Sequence, residues 1–522
     1  MKSAETERTH RCRLFDAICV AILIAYFLHF ALPALRGGFR EDEMMNMGIC
    51  WQAGAMKSLL ANIEFWKVFH IPGAALYDLP LYLYRPGGAV YYLPLYHFFD
   101  LDPVPYRIVQ ISILAASIPL VYYLSRQLAS SRSIAFLAVL ALCYHPRLAG
   151  LAFVGAFIYD VLCGFFYFAA LAYYISIREK EAALRPLQLL GFLALYVCAL
   201  NCKEMAVTLP AIVLIYEFLK PPRWMDWKAF LHRIWSYAVP SLIAGLLTFF
   251  YLYGKTHGSG SLATLEPYQP SYSWHNFTAS NARFVGELLF AGYTITPITL
   301  LFLWASVFVY AFIRRDRTLQ LMAFWIVIVP LPLACIVPVR GGAALYLLLF
   351  GWAMIFAKIA FDLITVISNL SLFVGNRVLA VATGASVGAE SSKVSLRVVR
   401  IIATSLVALI LAAFTQRENQ RLHVPSFDVG AKTSHVIHTF RSLGVRPIKG
   451  SRILLLLKEN LFQNKWNVFF IASLVWNDHS LRIWAESAEE LTPQQQAEVD
   501  YVIAVSEFNA DVIRSPELPK SD

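Results

Sequence analysis

Residues 14–47 read LFDAICVAILIAYFLHFALPALRGGFREDEMMNM, an apolar run that closes on Arg36-Gly37-Gly38 and gives way within three residues to consecutive acids. From Phe15 to Leu35 the run is long enough for a bilayer crossing, which takes about 20 residues. It is too long for a signal-peptide core and has no small-residue cleavage site, so it is expected to persist as a first helix. Glu41, Asp42 and Glu43 then fall at the membrane surface, where charge is costly and needs a reason.

Comparable apolar windows recur at 105–125, 132–150, 154–177, 186–202, 205–219, 232–253, 286–313, 320–338, 343–366 and 399–414. Together they predict an all-α polytopic membrane bundle of about eleven transmembrane helices. The composition agrees, with 58% hydrophobic and 15% charged residues over 522 positions, against about 25% charged in soluble domains. Ordinary soluble enzymes, fibres, disordered chains and disulfide-stapled domains are excluded.

The net charge of +10 is unevenly spread. Residues 1–414 hold 32 Lys and Arg against 21 acids, whereas 415–522 hold 12 against 13. The excess therefore reports membrane topology and not a nucleic-acid partner. With the N-terminus (Lys2, Arg8, Arg11, Arg13) in the cytoplasm, the inner connections carry Arg126 and Arg132, then Arg178, Lys180 and Arg185, then Lys220, Arg223 and Lys228. Further on come Arg314, Arg315 and Arg317, and finally Arg377, Lys393 and Arg397.

Two outer loops are large enough to hold a site. The first, 36–104, contains the aromatic stretch 91–99 (YYLPLYHFF), suited to a helix lying in the interface. The second, 254–285, is polar. Beyond a membrane domain at 1–414, residues 415–522 read as a small soluble extracytoplasmic α/β domain, with short apolar runs at 451–457, 468–474, 480–485 and 501–505 and no repeat. All eight cysteines precede residue 336 and lack disulfide or metal spacing; Cys198 and Cys202 read as packing residues. Neither a metal nor a cofactor is predicted.

Five clusters could carry chemistry. Glu41, Asp42 and Glu43, with Asn46 one turn on, place adjacent carboxylates that raise one another's pKa and could take a proton from a hydroxyl; a solvated loop start is the competing reading. Arg85, between Tyr84 and Pro86-Gly87-Gly88, offers planar recognition of a phosphate beside backbone that can approach closely. Lys203-Glu204 stands at the outer end of one span and Arg340-Gly341-Gly342, with Tyr346 one turn on, at the outer end of another. His145-Pro146-Arg147, followed by Tyr159-Asp160, is also outer. Proton-accepting carboxylates and phosphate-binding cations on one membrane face describe transfer from a lipid-phosphate donor. A transporter or lipid flippase would show repeated halves and mid-membrane polar breaks, which are not evident here. A lipid-pyrophosphate-dependent polymerase or ligase, or a non-catalytic envelope protein, fits some of the same residues.

At these positions the chain resembles the GT-C superfamily of integral-membrane glycosyltransferases. It is most similar to the protein O-mannosyltransferase branch, including the animal enzymes with TPR tails, and to the bacterial lipid A aminoarabinose transferase. Asp42-Glu43 matches the acidic pair after the first span of those families. Arg85-Pro86, His145-Pro146, Lys203-Glu204 leading into Leu209-Pro210, and Arg340-Gly341 with Tyr346 match their later elements in the same order. The resemblance spans about residues 14–366. It implies a polyprenyl-phosphate sugar as co-substrate, an acceptor hydroxyl and inversion at the anomeric carbon. It also implies Asp42 as the general base with Glu43 as its catalytic neighbour, Arg85, Lys203 and Arg340 at the donor phosphate, and Glu41, Asn46, His145, Glu204 and Tyr346 in support. Gly87 replaces a proline and Tyr84 an acid of the aminoarabinose-transferase pattern, and the tail is neither a TPR array nor a MIR domain. The acceptor stays open, and the expected setting is a bacterial inner membrane.

Overall fold

A computed structural model describes residues 2–60, 85–180, 183–220, 227–257, 270–336, 339–383, 389–424, 430–457, 461–462, 464–486 and 499–515. Tyr84 and Pro338 lie outside the described residues, as do Arg223 and the side chains of Lys2, Arg8, Arg11, Arg377, Lys393 and Arg397.

The helices follow the apolar windows. First come α1 (Lys2–Ala31), α2 (Glu41–Leu60), α3 (Gly87–Phe99), α4 (Pro103–Ala129), α5 (Arg132–Cys143) and the single turn α6 (Gly150–Phe153). Then come α7 (Ile158–Arg178), α8 (Pro186–Cys202), α9 (Leu209–Leu219), α10 (Trp227–His257), α11 (Trp274–Leu288) and α12 (Pro297–Ile313). The series continues with α13 (Arg317–Ile328), the short α14 (Leu331–Ala334), α15 (Tyr346–Thr383) and α16 (Ala389–Arg421). Starts are set by local chemistry. Asp102 caps α4 by accepting from the Val104 amide, with Pro103 in the first turn, and Asp316 caps α13 through the Leu319 amide. Such side chains satisfy amides that the helix cannot.

The expected eleven spans are not confirmed. Among the described residues, seven helical stretches are long and apolar enough to cross a membrane, and an eighth is gained if α5 and the bent segment after His145, turned by 48°, count as one. The windows at 186–202 and 286–313 yield helices of 17 residues, α8 and α12. In the latter window Pro297 starts a new helix after the break that follows α11, so hydrophobicity runs through a turn that periodicity does not mark. The window at 205–219 is a 3-10 turn (Glu204–Thr208) followed by the eleven-residue α9.

The described residues of the segment expected as the first outer loop, 36–104, include α2, kinked at Gly54, and α3, which pack on one another. After α16, which continues past residue 414 to Arg421, come α17 (Ala431–Ser442), β1 (Arg452–Leu457), α18 (Trp466–Trp476), β2 (Arg482–Glu486), β3 (Tyr501–Val505) and β4 (Ala510–Arg514). The sheet order is β2-β1-β3-β4, with β1 parallel to both neighbours and β4 antiparallel on β3. The run at 468–474 is thus a helix, hydrophobic on all sides because it is buried on all sides, and β4 had no sequence signal beyond its length.

That buried helix seats the tail on the bundle. Phe470 of α18 presses on the backbone of α2 at Gly48, where any Cβ would collide with its ring. The Tyr96 hydroxyl of α3 donates to the Leu474 carbonyl at 2.5 Å. The Trp51 indole donates to Asn477 at 2.9 Å, and its ring stacks on His479 at 3.8 Å. Arg441 pairs with Asp100 at 2.7 Å.

At the opposite end of the bundle, buried Arg178 is paired with buried Glu217 (2.7 Å) and lies over the Tyr237 ring at 3.6 Å. Asp16 there bridges Arg126 and Arg132, and Lys358 pairs with Asp316 at 2.7 Å. Several cations read from the sequence as topology markers are therefore also structural partners.

Candidate functional site

The acidic triplet forms the first turn of α2, and the helix turns its three carboxylates in different directions. Glu43 is buried, 1% exposed. It accepts from the Arg107 guanidinium of α4 at 2.9 and 3.0 Å and from the Gly155 amide. The same Arg107 nitrogen also donates to the Gly38 carbonyl at 2.8 Å. Burial pushes the Glu43 carboxyl above its usual range, against the pull of Arg107 and of the Gly155 and Arg40 amides. Glu41 turns toward the tail and accepts from the buried Asn467 amide at 2.9 Å; burial and the neighbouring Asp42 charge raise its carboxyl. Asp42 is exposed, and Asn46 is half-buried one turn on.

Arg107 is a residue that sequence reasoning missed. It lies inside the apolar window 105–125, and the available signal was an arginine that a spanning helix would not tolerate without a carboxylate partner.

The cations gather from distant segments. Arg85, just before α3, pairs with Glu204 through two nitrogens, at 3.3 and 3.0 Å, across 119 residues of sequence. Its guanidinium also stands 5.5 Å from the Tyr159 ring of α7. Lys203 pairs with Asp160, the next residue of α7. Burial alone would raise the Glu204 carboxyl, but the charges of Arg85 and Lys255 and the Arg85 hydrogen bonds hold it down to about 2. Lys255, near the end of α10, is thus a further member that sequence reasoning left out. Two glycines let these elements meet: a Cβ on Gly88 would strike the Tyr159 ring, and one on Gly87 would strike the Cys202 sulfur.

Tyr159 also ties this cluster to the acids. Its hydroxyl lies within electrostatic reach of the Cys50 thiol of α2, and its ring lies 6.3 Å from that of Tyr92. The Tyr92 hydroxyl donates to the carbonyl of Gly155, whose amide holds Glu43.

Arg340 and His145 sit in a neighbouring group. The Gly342 amide donates to Glu287 at 2.9 Å, and Glu287 pairs with Arg283 at 3.5 Å. His145 bonds the Leu288 carbonyl at 3.0 Å and stacks on Phe290 at 4.7 Å. The turn Pro146–Leu148 packs on Gly342–Leu345, and the Glu204–Thr208 turn packs on α14, which itself touches α11. Tyr346 is buried against Gly164 and Phe168 of α7, a packing position inside the bundle. Among the described residues no three His, Cys, Asp or Glu side chains converge as metal ligands would.

The fold is that of a polytopic helical membrane bundle with a small α/β tail, and it has solved counterparts. The archaeal oligosaccharyltransferase AglB from Archaeoglobus fulgidus, in complex with an inhibitory peptide and a dolichol-phosphate, superposes with a TM-score of 0.51 at 10% identity, covering 94% of this chain and 69% of that one. The oligosaccharyltransferase of the same organism, tethered to an acceptor peptide containing the NVT sequon, gives a TM-score of 0.49 at 10% identity over the same shares. The likeness is one of fold. No family model and no curated protein matches the sequence.

Proposed function

We propose that this chain is a membrane glycosyltransferase that moves a sugar from a polyprenyl-phosphate donor to an acceptor hydroxyl on the extracytoplasmic face, with inversion. The observation that carries the reading is the pairing of Arg85 with Glu204 beside Lys203 and Asp160. It gathers charged side chains from three remote segments at the end of the bundle where α2 presents its acids, on a fold shared with an oligosaccharyltransferase.

In this reading Asp42 is the base, because Glu43 is committed to Arg107 and Gly155 and Glu41 to Asn467. The acceptor oxygen attacks the anomeric carbon and its proton passes to Asp42. The bond from that carbon to the phosphate oxygen breaks through an oxocarbenium-like state. The polyprenyl phosphate leaves with the bonding pair, its charge balanced by Arg85 and Lys203, with Arg340 supporting from the adjoining group.

The test is turnover in proteoliposomes with polyprenyl-phosphate sugars and hydroxyl acceptors, following sugar transfer and product configuration. Release of polyprenyl phosphate with an inverted glycoside is expected. Flux of intact lipid without bond cleavage would overturn the reading in favour of transport, and turnover of pyrophosphate-linked donors alone would replace it with a glycan ligase. Asp42→Asn should insert and fold as wild type yet lose about 10² to 10⁴ in rate, the usual worth of a general base; wild-type turnover would remove Asp42 from that role.

A further inference from the structure

The end of α10 adds two side chains to the cation cluster. The Tyr251 ring lies 5.4 Å from the Lys255 ammonium. The Lys255 charge acts on Glu204 together with that of Arg85, and the Tyr251 hydroxyl lies within electrostatic reach of Glu204, Arg85 and the Cys163 and Cys202 thiols. That hydroxyl is buried and has no hydrogen-bond partner among the described residues. Leaving a buried polar group unsatisfied costs about 1–3 kcal/mol, and this hydroxyl lies beside the charges around Glu204, so a ligand bound there would satisfy it.

The charges point the same way. Three cations, Arg85, Lys203 and Lys255, converge from separate elements around Glu204 and Asp160. A ligand that both accepts a hydrogen bond from a phenol and brings negative charge satisfies both conditions, as a phosphate oxygen does. A sugar hydroxyl would meet only the first, and a second cation neither.

We propose that Tyr251 and Lys255 complete a phosphate-binding site with Arg85 and Lys203, contacting the lipid-phosphate moiety of the donor. This rests on the glycosyltransferase reading for the identity of the donor, but the anion site is testable without any transfer. The probe is farnesyl phosphate, with farnesol as the phosphate-free control, titrated against the full-length protein in detergent by tryptophan fluorescence or calorimetry.

Wild type should bind farnesyl phosphate more tightly than farnesol. Lys255→Gln should weaken the phosphate about tenfold or more and Tyr251→Phe several-fold, in line with the loss of hydrogen bonds to a charged group, while farnesol binding and melting temperature stay near wild type. Tyr251→Phe removes one oxygen from a buried ring, which keeps the test interpretable if Lys255→Gln folds poorly. Equal binding of phosphate and alcohol by the wild type, or unchanged phosphate binding in both variants, overturns the site. Loss of phosphate binding in the variants of a protein that transfers no sugar would leave the site standing and reject the glycosyltransferase reading alone.

Discussion

Three adjacent acids show how much a residue's role depends on the direction its helix turns it. In sequence Glu41, Asp42 and Glu43 form one acidic cluster, from which only the family resemblance singles out Asp42 and Glu43; in the structure one meets the tail, one faces solvent and one is buried under an arginine. Glu43→Gln leaves the Arg107 guanidinium buried without its counter-charge, and breaking such a pair from one side costs about 3–5 kcal/mol. A clear drop in melting temperature is expected, and an unchanged one would show that the pair does not hold α2. Glu204 differs because its folded carboxyl is held down to about 2 by Arg85 and Lys255, below the unfolded value of about 4.3. Its contribution is present in full above the unfolded value and disappears as pH falls from there toward 2. The melting-temperature gap between wild type and Glu204→Gln should therefore be level above about pH 5 and close in acid. A gap that widened in acid would contradict the pairing. The sequence named Glu204 and Arg85 separately; their 119-residue separation hid that each is the other's partner.

Among the elements, α18 carries a consequence that composition disguised. Its apolar character reads as a strand of an α/β unit, yet it is a helix wedged between the sheet and the pair α2 and α3. Its fit depends on Gly48, whose missing side chain admits the Phe470 ring. Gly48→Leu should force the tail away from α2, destroying the Trp51–His479 stack and the hydrogen bond from Tyr96. Limited proteolysis checks this: new cleavage within α17 and α18 is expected in the variant, and a wild-type pattern would mean that the tail is held elsewhere. The strands β1, β2 and β3 were legible because each is a short apolar run with polar flanks. The burial pattern of β4 is mostly exposed, so it offers no hydrophobic signal, and only pairing with β3 makes it a strand.

Over the whole molecule, the two ends of the bundle differ in kind. One gathers the acids, Arg85, Lys203, Lys255 and the tail, while the other holds the Arg178–Glu217 and Asp16 ion pairs. If the first end is extracytoplasmic, cysteines introduced at exposed Asn509 and at exposed Lys180 should react with an impermeant maleimide from opposite sides of sealed vesicles, with the wild type as background. Labelling of both from one side would refute the topology. By itself the sequence determined that the chain is a helical membrane bundle with a small mixed tail, because hydrophobic length and charge are local properties that solvent and lipid read directly. It also nominated most of the residues now found around Glu204. Only the tertiary structure decided which windows make full-length helices, which acid stays exposed, and that Arg107, Tyr251 and Lys255 stand beside the named residues. Those outcomes depend on contacts between segments far apart in the chain, and no single stretch of sequence encodes the partner that will satisfy its buried charge.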